Sequence, residues 1–229
     1  MSSSTRSYPL ITESNPKSPI SEAYKILRTN IQFSNLDTDI QTIMVTSAAM
    51  GEGKSTTSAN LAVAYAQAGK KVLIIDADLR KPTQHHIFRV SNRVGLTSVL
   101  SHQSPLGSAL LDTTVEQLSI IPSGPIPPNP SEILASKRMS SMLDDLKSQF
   151  DIIIIDTPPT LAVTDAQIMA AQSDGVLMVV DAGKVKKEAA ARAKAGLDMV
   201  GAKLLGVVLN NISRSSAEGY YYYYYGERK

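Results

Sequence analysis

The sequence predicts a doubly wound α/β domain with a mostly parallel sheet. Three observations carry the prediction: runs of Val and Ile unbroken by polar residues, helical segments between them, and aspartates placed directly after two of the runs. Unbroken apolar runs mark strands buried on both faces, as in parallel sheets covered by helices. In such sheets ligands meet the carboxyl ends of the strands, so acidic residues placed there are candidates for chemistry.

The elements follow in chain order. Residues 1–19 are rich in Ser, Thr, Asn and Pro without apolar periodicity, and are expected to form a flexible arm ahead of a folded domain spanning 20–212. Ser21 to Phe33 carries Ala23, Ile26, Leu27 and Ile31 near helical spacing, with Ser21 placed to cap its start. Ile43–Thr46 is a short strand that enters a glycine-containing turn and then a helix, Lys54–Ala68, ended by Gly69 as a C′ glycine. Val72–Ile75 precedes Asp76, Leu118–Ile121 is stopped by Pro122, and Ile152–Ile155 precedes Asp156. Val176–Val180 and Leu204–Leu209 complete the strands, and helices fit at 131–149, 164–173 and 187–200. Ser123–Pro130 holds four prolines in eight residues and reads as a surface loop. From Ser213 no core pattern remains, so 213–229 is expected to be a flexible tail; it contains six consecutive tyrosines, Tyr220, Tyr221, Tyr222, Tyr223, Tyr224 and Tyr225.

Composition excludes several classes. Apolar residues make up 43% of the 229, enough for a full core. The net charge of +2 argues against a general nucleic-acid binder, which needs a clustered basic face. There is no cysteine, so disulfides, thiolate zinc sites and thiol catalysis drop out. No apolar stretch approaches the ~18–20 residues that span a bilayer, and the N-terminus lacks an apolar signal region, so a cytoplasmic protein is expected, with any membrane contact made through a partner. His85, His86 and His102 lack metal-ligand company and are given no chemistry.

Residues 47–56 read Ser-Ala-Ala-Met-Gly-Glu-Gly-Lys-Ser-Thr. The strict phosphate-loop pattern places glycine six residues before the lysine, where this chain has Ala48. The physics survives the departure. Gly51 and Gly53 permit tight turns that aim N–H groups at an anion, and the helix starting near Lys54 adds its positive end. Lys54 would reach the phosphates and the Ser55 hydroxyl would ligate Mg²⁺, an oxygen-seeking ion that usually keeps waters. Asp76 and Asp78 alternate along extended chain and project from one side. Three carboxylates, Asp76, Asp78 and Asp156, exceed what one Mg²⁺ needs, which leaves one free to act as a base. Taken singly, each also admits the reading of a strand-end cap or a surface charge; it is the set beside the loop that points to chemistry.

With these residues in view, the sequence resembles the bacterial tyrosine kinases, in particular the CapB-type kinases of capsule synthesis, within the deviant Walker A branch of P-loop NTPases. The resemblance runs from about residue 20 to the end. It rests on Gly51-Glu52-Gly53-Lys54-Ser55, on Ile74-Ile75-Asp76-Ala77-Asp78-Leu79-Arg80-Lys81-Pro82, on the strand ending at Asp156, and on the terminal tyrosines. Met50 stands where many members carry proline. The resemblance implies an enzyme that converts ATP and protein tyrosine to ADP and phosphotyrosine. Gly51, Glu52, Gly53, Lys54, Ser55 and Thr56 would cradle the nucleotide, with Asn210 at its adenine. Ser55, Asp78 and Asp156 would hold Mg²⁺, Lys54, Asp76 and Asp78 would serve catalysis, and Asp76 would be the favoured base. Tyr220–Tyr225 would be the acceptors. A Glu-x-x-Arg-x-x-Arg helix joins subunits of the family into rings; here Glu22, Lys25 and Arg28 fill it, and Lys25 loses the planar fork of arginine. Without the resemblance that row reads as a solvated helix face. Further implied partners are a membrane adaptor whose cytosolic tail completes the site and draws the enzyme to the inner face of the cell membrane, a cognate tyrosine phosphatase, and protein substrates of polysaccharide synthesis.

Each phosphotyrosine carries about −1.5 to −2 charge near neutral pH, so six would add roughly −9 to −12 and repel one another, which predicts graded modification. The competing readings are a partitioning or division-site ATPase switch, whose second signature lysine would stand at Ala49, and a nucleotide-gated scaffold that makes no phosphotyrosine.

Overall fold

The computed structural model describes residues 10–34 and 39–212. Among them the sheet has seven strands: β1 (Thr42–Ser47), β2 (Val72–Asp76), β3 (Leu111–Asp112), β4 (Leu118–Ile121), β5 (Ile152–Asp156), β6 (Gly175–Asp181) and β7 (Leu204–Asn210). Their order is β3-β4-β2-β5-β1-β6-β7. Every neighbouring pair is parallel except β3, a two-residue edge strand antiparallel to β4. The doubly wound, mostly parallel sheet read from the Val/Ile runs is the observed one.

Helices cover both faces: α1 (Ile11–Ser14), α2 (Pro19–Phe33), α3 (Lys54–Ala66), α4 (Gln84–Ile87), α5 (Leu96–Leu100), α6 (Leu106–Ala109), α7 (Pro130–Leu134), α8 (Lys137–Lys147), α9 (Asp165–Ala170) and α10 (Lys187–Asp198). The central strands divide their side chains between two cores. Ile43, Val45, Val72, Ile74, Ile152 and Ile154 pack with Leu61, Val63 and Tyr65 of α3. Met44, Leu73, Ile75, Ile153 and Ile155 pack with Leu143 and Leu146 of α8 and Leu197 of α10. β1, β2 and β5 are buried at every residue, as period-two strands with apolar groups on both faces must be. Each of those side chains contributes about 1.5–3 kcal/mol by leaving water.

Three expectations change. The arm expected over 1–19 is, in its described part, a one-turn helix docked on α3: Thr12 is 1% exposed, and its N–H and hydroxyl both donate to Asn60 Oδ1, at 3.1 and 2.9 Å. The cap of α2 is Ser18, whose hydroxyl accepts the Ser21 N–H at 3.1 Å, with Pro19 in the first helical position where its missing N–H costs nothing. Ser21 is buried and directs its own hydroxyl to the carbonyls of Ile11 and Asn15. The single helix expected over 131–149 is two, because Ser136 is extended (ψ 147°) and caps α8 by accepting the Met139 N–H.

The entry to β1 is tied by one carboxylate. Asp174 Oδ2 accepts the N–H groups of Gln41 (3.1 Å) and Thr42 (2.7 Å), while Oδ1 meets Lys147 Nζ at 3.0 Å. Burial alone would raise its pKa, but the Thr42 N–H, Lys147 and the other donors outweigh that and hold it below its ordinary value. A depressed carboxylate stabilises the fold above its unfolded pKa of about 3.9 and loses that contribution as pH falls through its folded value. Asp174→Ala is therefore expected to lower stability by ~1 kcal/mol at pH 7, given partial solvent screening. In urea unfolding followed over pH, the gap to wild type should close below about pH 4; a gap that does not vary with pH would refute the assignment.

Candidate active site

The phosphate loop lies between β1 and α3. Gly51 and Gly53 adopt φ of +83° and +95°, conformations that cost an L side chain about 1–2 kcal/mol. At Gly53 space also forbids a side chain, since an added Cβ would stand 2.1 Å from Asn210 Nδ2. Gly53 is the N-cap of α3 and offers no side-chain cap, so the first-turn N–H groups of this helix keep no side-chain partner. The loop is braced from within. The Glu52 carboxylate, 2% exposed, accepts the N–H of Ala49 with one oxygen and that of Asp181 at 3.2 Å with the other. Asn210, at the end of β7, donates from Nδ2 to the Glu52 carbonyl at 2.9 Å. Of the predicted nucleotide residues, then, Gly51, Gly53, Lys54, Ser55 and Thr56 form the loop and the first turn of α3, with Asn210 beside them. The Glu52 side chain serves the loop's shape and presents no open face.

The carboxylates gather below. β2 and β5 run parallel in a register that sets Asp76 directly opposite Asp156. Both are 0% exposed, and Asp78 is 4% exposed. The Lys54 ammonium lies among the three oxygens singled out as metal ligands: 2.8 Å from Asp78 Oδ2, 3.2 Å from Ser55 Oγ and 3.9 Å from Asp156 Oδ1. Burial would lower the Lys54 pKa, but Asp156 and Asp78 together raise it, so it is held charged. Asp76 is pushed up to about 8, first by burial and then by the charge of Asp156; the N–H groups of Gln84 and Thr83 pull it back only in part. Burial also raises Asp156, against the pull of Lys54, Ser55 and Gln84. The donor set suits Mg²⁺: one hydroxyl and two carboxylates facing a single point where a cation, here an ammonium, already sits. No three His, Cys, Asp or Glu side chains converge as a metal cluster among the described residues. That is consistent with an ion that takes few protein ligands and keeps water.

Three residues at the site, Gln84, Ser131 and Asp165, carried no signal in the sequence. Gln84 is fully buried at the start of α4, and its Nε2 donates to Asp156 Oδ2 at 2.8 Å and to the Ser55 carbonyl at 3.0 Å. Arg80 grips the fully buried Asp165 with two nitrogens, at 2.9 and 3.0 Å, and Ser131 donates to the same carboxylate at 2.7 Å. That pairing gives the Pro-rich loop and α7 a place, fastened to the strand that carries Asp76. The charge row of α2 is not a plain solvated face. Glu22 and Lys25 pair at 2.7 Å and Lys25 also donates to the Pro16 carbonyl, while Arg28 turns onto α3 and donates to the Ala64 carbonyl at 2.8 Å. Tyr220–Tyr225 and the rest of 213–229 lie outside the described residues.

Comparison with known proteins adds independent findings. A family model described as an AAA domain matches residues 40–200. The tyrosine-protein kinase YwqD of Bacillus subtilis is 50% identical over 92% of this chain and 90% of its own length. The putative tyrosine-protein kinase CapB of Staphylococcus aureus is 45% identical over 96% of each chain. Among solved structures, the chimerical protein CapA2B2 superposes with a TM-score of 0.87 at 45% identity, over 93% of this chain and 92% of that one.

The two loop glycines should separate in stability. Gly51→Ala meets open space and incurs backbone strain alone, about 1 kcal/mol, whereas Gly53→Ala adds the collision with Asn210 and should lose about 2–3 kcal/mol. Denaturant unfolding measures both. Adding Asn210→Ala to Gly53→Ala should restore the part due to collision; equal losses at the two glycines would refute this account.

Proposed function

The chain belongs to the bacterial tyrosine-protein kinases, and from that premise we propose that it transfers the γ-phosphoryl group of ATP to protein tyrosines, those of its own run Tyr220–Tyr225 among them. The observation that carries the reading is the convergence of Ser55, Asp78 and Asp156 on one buried cation, at the foot of a glycine loop whose helix end has no side-chain cap. Phosphoryl transfer asks a protein mainly for positioning and for compensation of charge, and this site is built from both.

Mg-ATP, when bound, supplies the phosphoryl group and the divalent charge that neutralises it. The protein's part is divided among named groups. The loop N–H groups from Gly51 to Thr56 and the Lys54 ammonium would hold the phosphates, and Lys54 must first leave Asp78. Ser55, Asp78 and Asp156 would hold the metal. As the tyrosine oxygen bonds to phosphorus and the bond to the departing ADP oxygen breaks, the phenolic proton needs an acceptor, since a free tyrosine has a pKa of about 10. Asp76 suits that role. Its pKa is raised to about 8, so its ionised form is a stronger base than an ordinary carboxylate, and Oδ1 is the less engaged oxygen, accepting only the Asp78 N–H at 3.3 Å while Oδ2 takes the N–H groups of Thr83 and Gln84. Asn210, beside the loop, is the residue proposed at the adenine.

The wider setting follows from the same resemblance. Among the described residues no helix is long and apolar enough to cross a membrane. An adaptor's cytosolic tail would bring the enzyme to the membrane and complete the site, a ring would form through the α2 face, and a phosphatase would reset the tail. Control of capsular or exopolysaccharide synthesis is the proposed outcome. The partitioning-ATPase alternative lacks its second lysine, because the position is Ala49, whose N–H is bound to Glu52.

The test is phosphotyrosine mass spectrometry on the purified chain after incubation with Mg-ATP, with and without an adaptor's cytosolic segment. Phosphate is expected on Tyr220–Tyr225 in a graded distribution, and Lys54→Met should abolish it. Turnover of ATP with no modified tyrosine, adaptor present, would replace the kinase with the switch or the scaffold.

A further inference from the structure

Gln84 joins three elements of the site from a position that is 0% exposed. Its Nε2 bridges Asp156 Oδ2 (2.8 Å) and the Ser55 main-chain carbonyl (3.0 Å), while its own N–H donates to Asp76 Oδ2 at 2.9 Å. The two groups met by the amide nitrogen are both acceptors, so an oxygen in its place would be repelled by each, and the amide can face only one way. Asp156 therefore has its Oδ2 tied back. Its Oδ1 is left turned to Ser58 Oγ (3.4 Å) and towards Lys54 Nζ (3.9 Å), the side on which the cation sits. Gln84 Oε1 is buried and has no partner among the described residues. An orphaned acceptor of this kind costs about 1–3 kcal/mol.

We infer that Gln84 is a positioning residue of the magnesium site, fixing the Asp156 carboxylate and the Ser55 backbone relative to one another so that both reach a single ion. This rests on the reading that Ser55 and Asp156 take the metal. The argument is the one that applies to outer-sphere groups in general: a ligand free to rotate binds its ion less well than a ligand already held in the binding geometry. Nothing in the sequence separates Gln84 from a surface residue. The resemblance is silent on it too, because its motif residues end at Pro82.

The experiment is calorimetric titration of the full chain with ADP, in Mg²⁺ at several concentrations and in EDTA, with melting temperatures recorded alongside. Gln84→Met keeps length and volume but removes the bridge. It should weaken the Mg²⁺ dependence of ADP binding by roughly 10- to 100-fold and leave ADP affinity in EDTA unchanged. Gln84→Asn keeps the amide but, one methylene shorter, cannot span Asp156 Oδ2 and the Ser55 carbonyl, and should lose Mg²⁺ affinity to a similar degree, which keeps the test decisive should the methionine variant fold poorly. If both variants melt lower yet retain the wild-type Mg²⁺ dependence, Gln84 is a structural brace only and the inference fails while the reading of the site stands. If wild type itself binds ADP equally well with and without Mg²⁺, the reading of the site fails with it.

Discussion

The site depends on one unfavourable arrangement: the parallel register of β2 and β5 places two aspartates side by side at the ends of buried strands. Like charges directly opposite across a sheet destabilise it, and in a dry setting a pair of carboxylates repels far more than in water. The surroundings answer that repulsion group by group. Thr83 and Gln84 point two N–H groups at Asp76, Gln84 Nε2 and Ser58 Oγ address Asp156, and the Lys54 ammonium lies between Asp78 and Asp156. Even so, Asp76 is driven up to about 8. A site that holds excess negative charge under such compensation is prepared for cations, and the phosphate-binding role proposed for Lys54 requires the ammonium to leave this midst.

The phosphate loop is shaped by the opposite end of the sheet. Glu52 and Asn210 link it to the carboxyl ends of β6 and β7, and Asn211 in turn donates to Asp181 at 2.8 Å. The loop's curvature therefore comes from side chains that never need to touch an anion. Two left-handed glycines permit the curve, and a buried carboxylate and an amide hold it. This explains why the strict glycine at position 48 can be replaced: Ala48 is wholly buried against Met178 and Ala193, and the turn is made further on, at Gly51 and Gly53.

Much of the fold was legible because one strong signal, the apolar run, marks six of the seven strands, and because the loop glycines and Lys54-Ser55 are contiguous; the edge strand β7 departs from the burial that such a run predicts, leaving Val207 and Leu209 exposed. What escaped has a common physical cause. Helices α4, α5 and α6 are four to five residues long, too short for a periodic signal, and are stabilised by tertiary contacts. Strand β3 has two residues. The break between α7 and α8 turns on a single extended serine. Gln84 and Asp165 are polar residues whose burial is decided by partners 72 and 85 positions away, a separation at which sequence spacing carries no information. Asp76, Asp78 and Asp156 were legible as strand-end acids, but the opposition of Asp76 and Asp156 is a matter of register, which the runs alone do not fix.

Helix α3 shows how these parts share one body. Its first residue, Lys54, lies among the carboxylates, and every residue from Thr57 to Ala66 is buried. Polar side chains along it must therefore find partners, and they find them in the chain's first described segment. Asn60 receives Thr12, the Ala64 carbonyl accepts Arg28, and Gln67, the cap just past the helix end, donates to the Thr12 carbonyl at 2.8 Å. The α2 charge row is thus fastened to the same helix whose first residue is Lys54. A close-packed helix moves as a unit and transmits strain along its length, so whatever engages the α2 face is separated from Lys54 by a single rigid element. The arm that the sequence leaves without pattern becomes, from residue 10 onward, part of the wall behind the nucleotide loop.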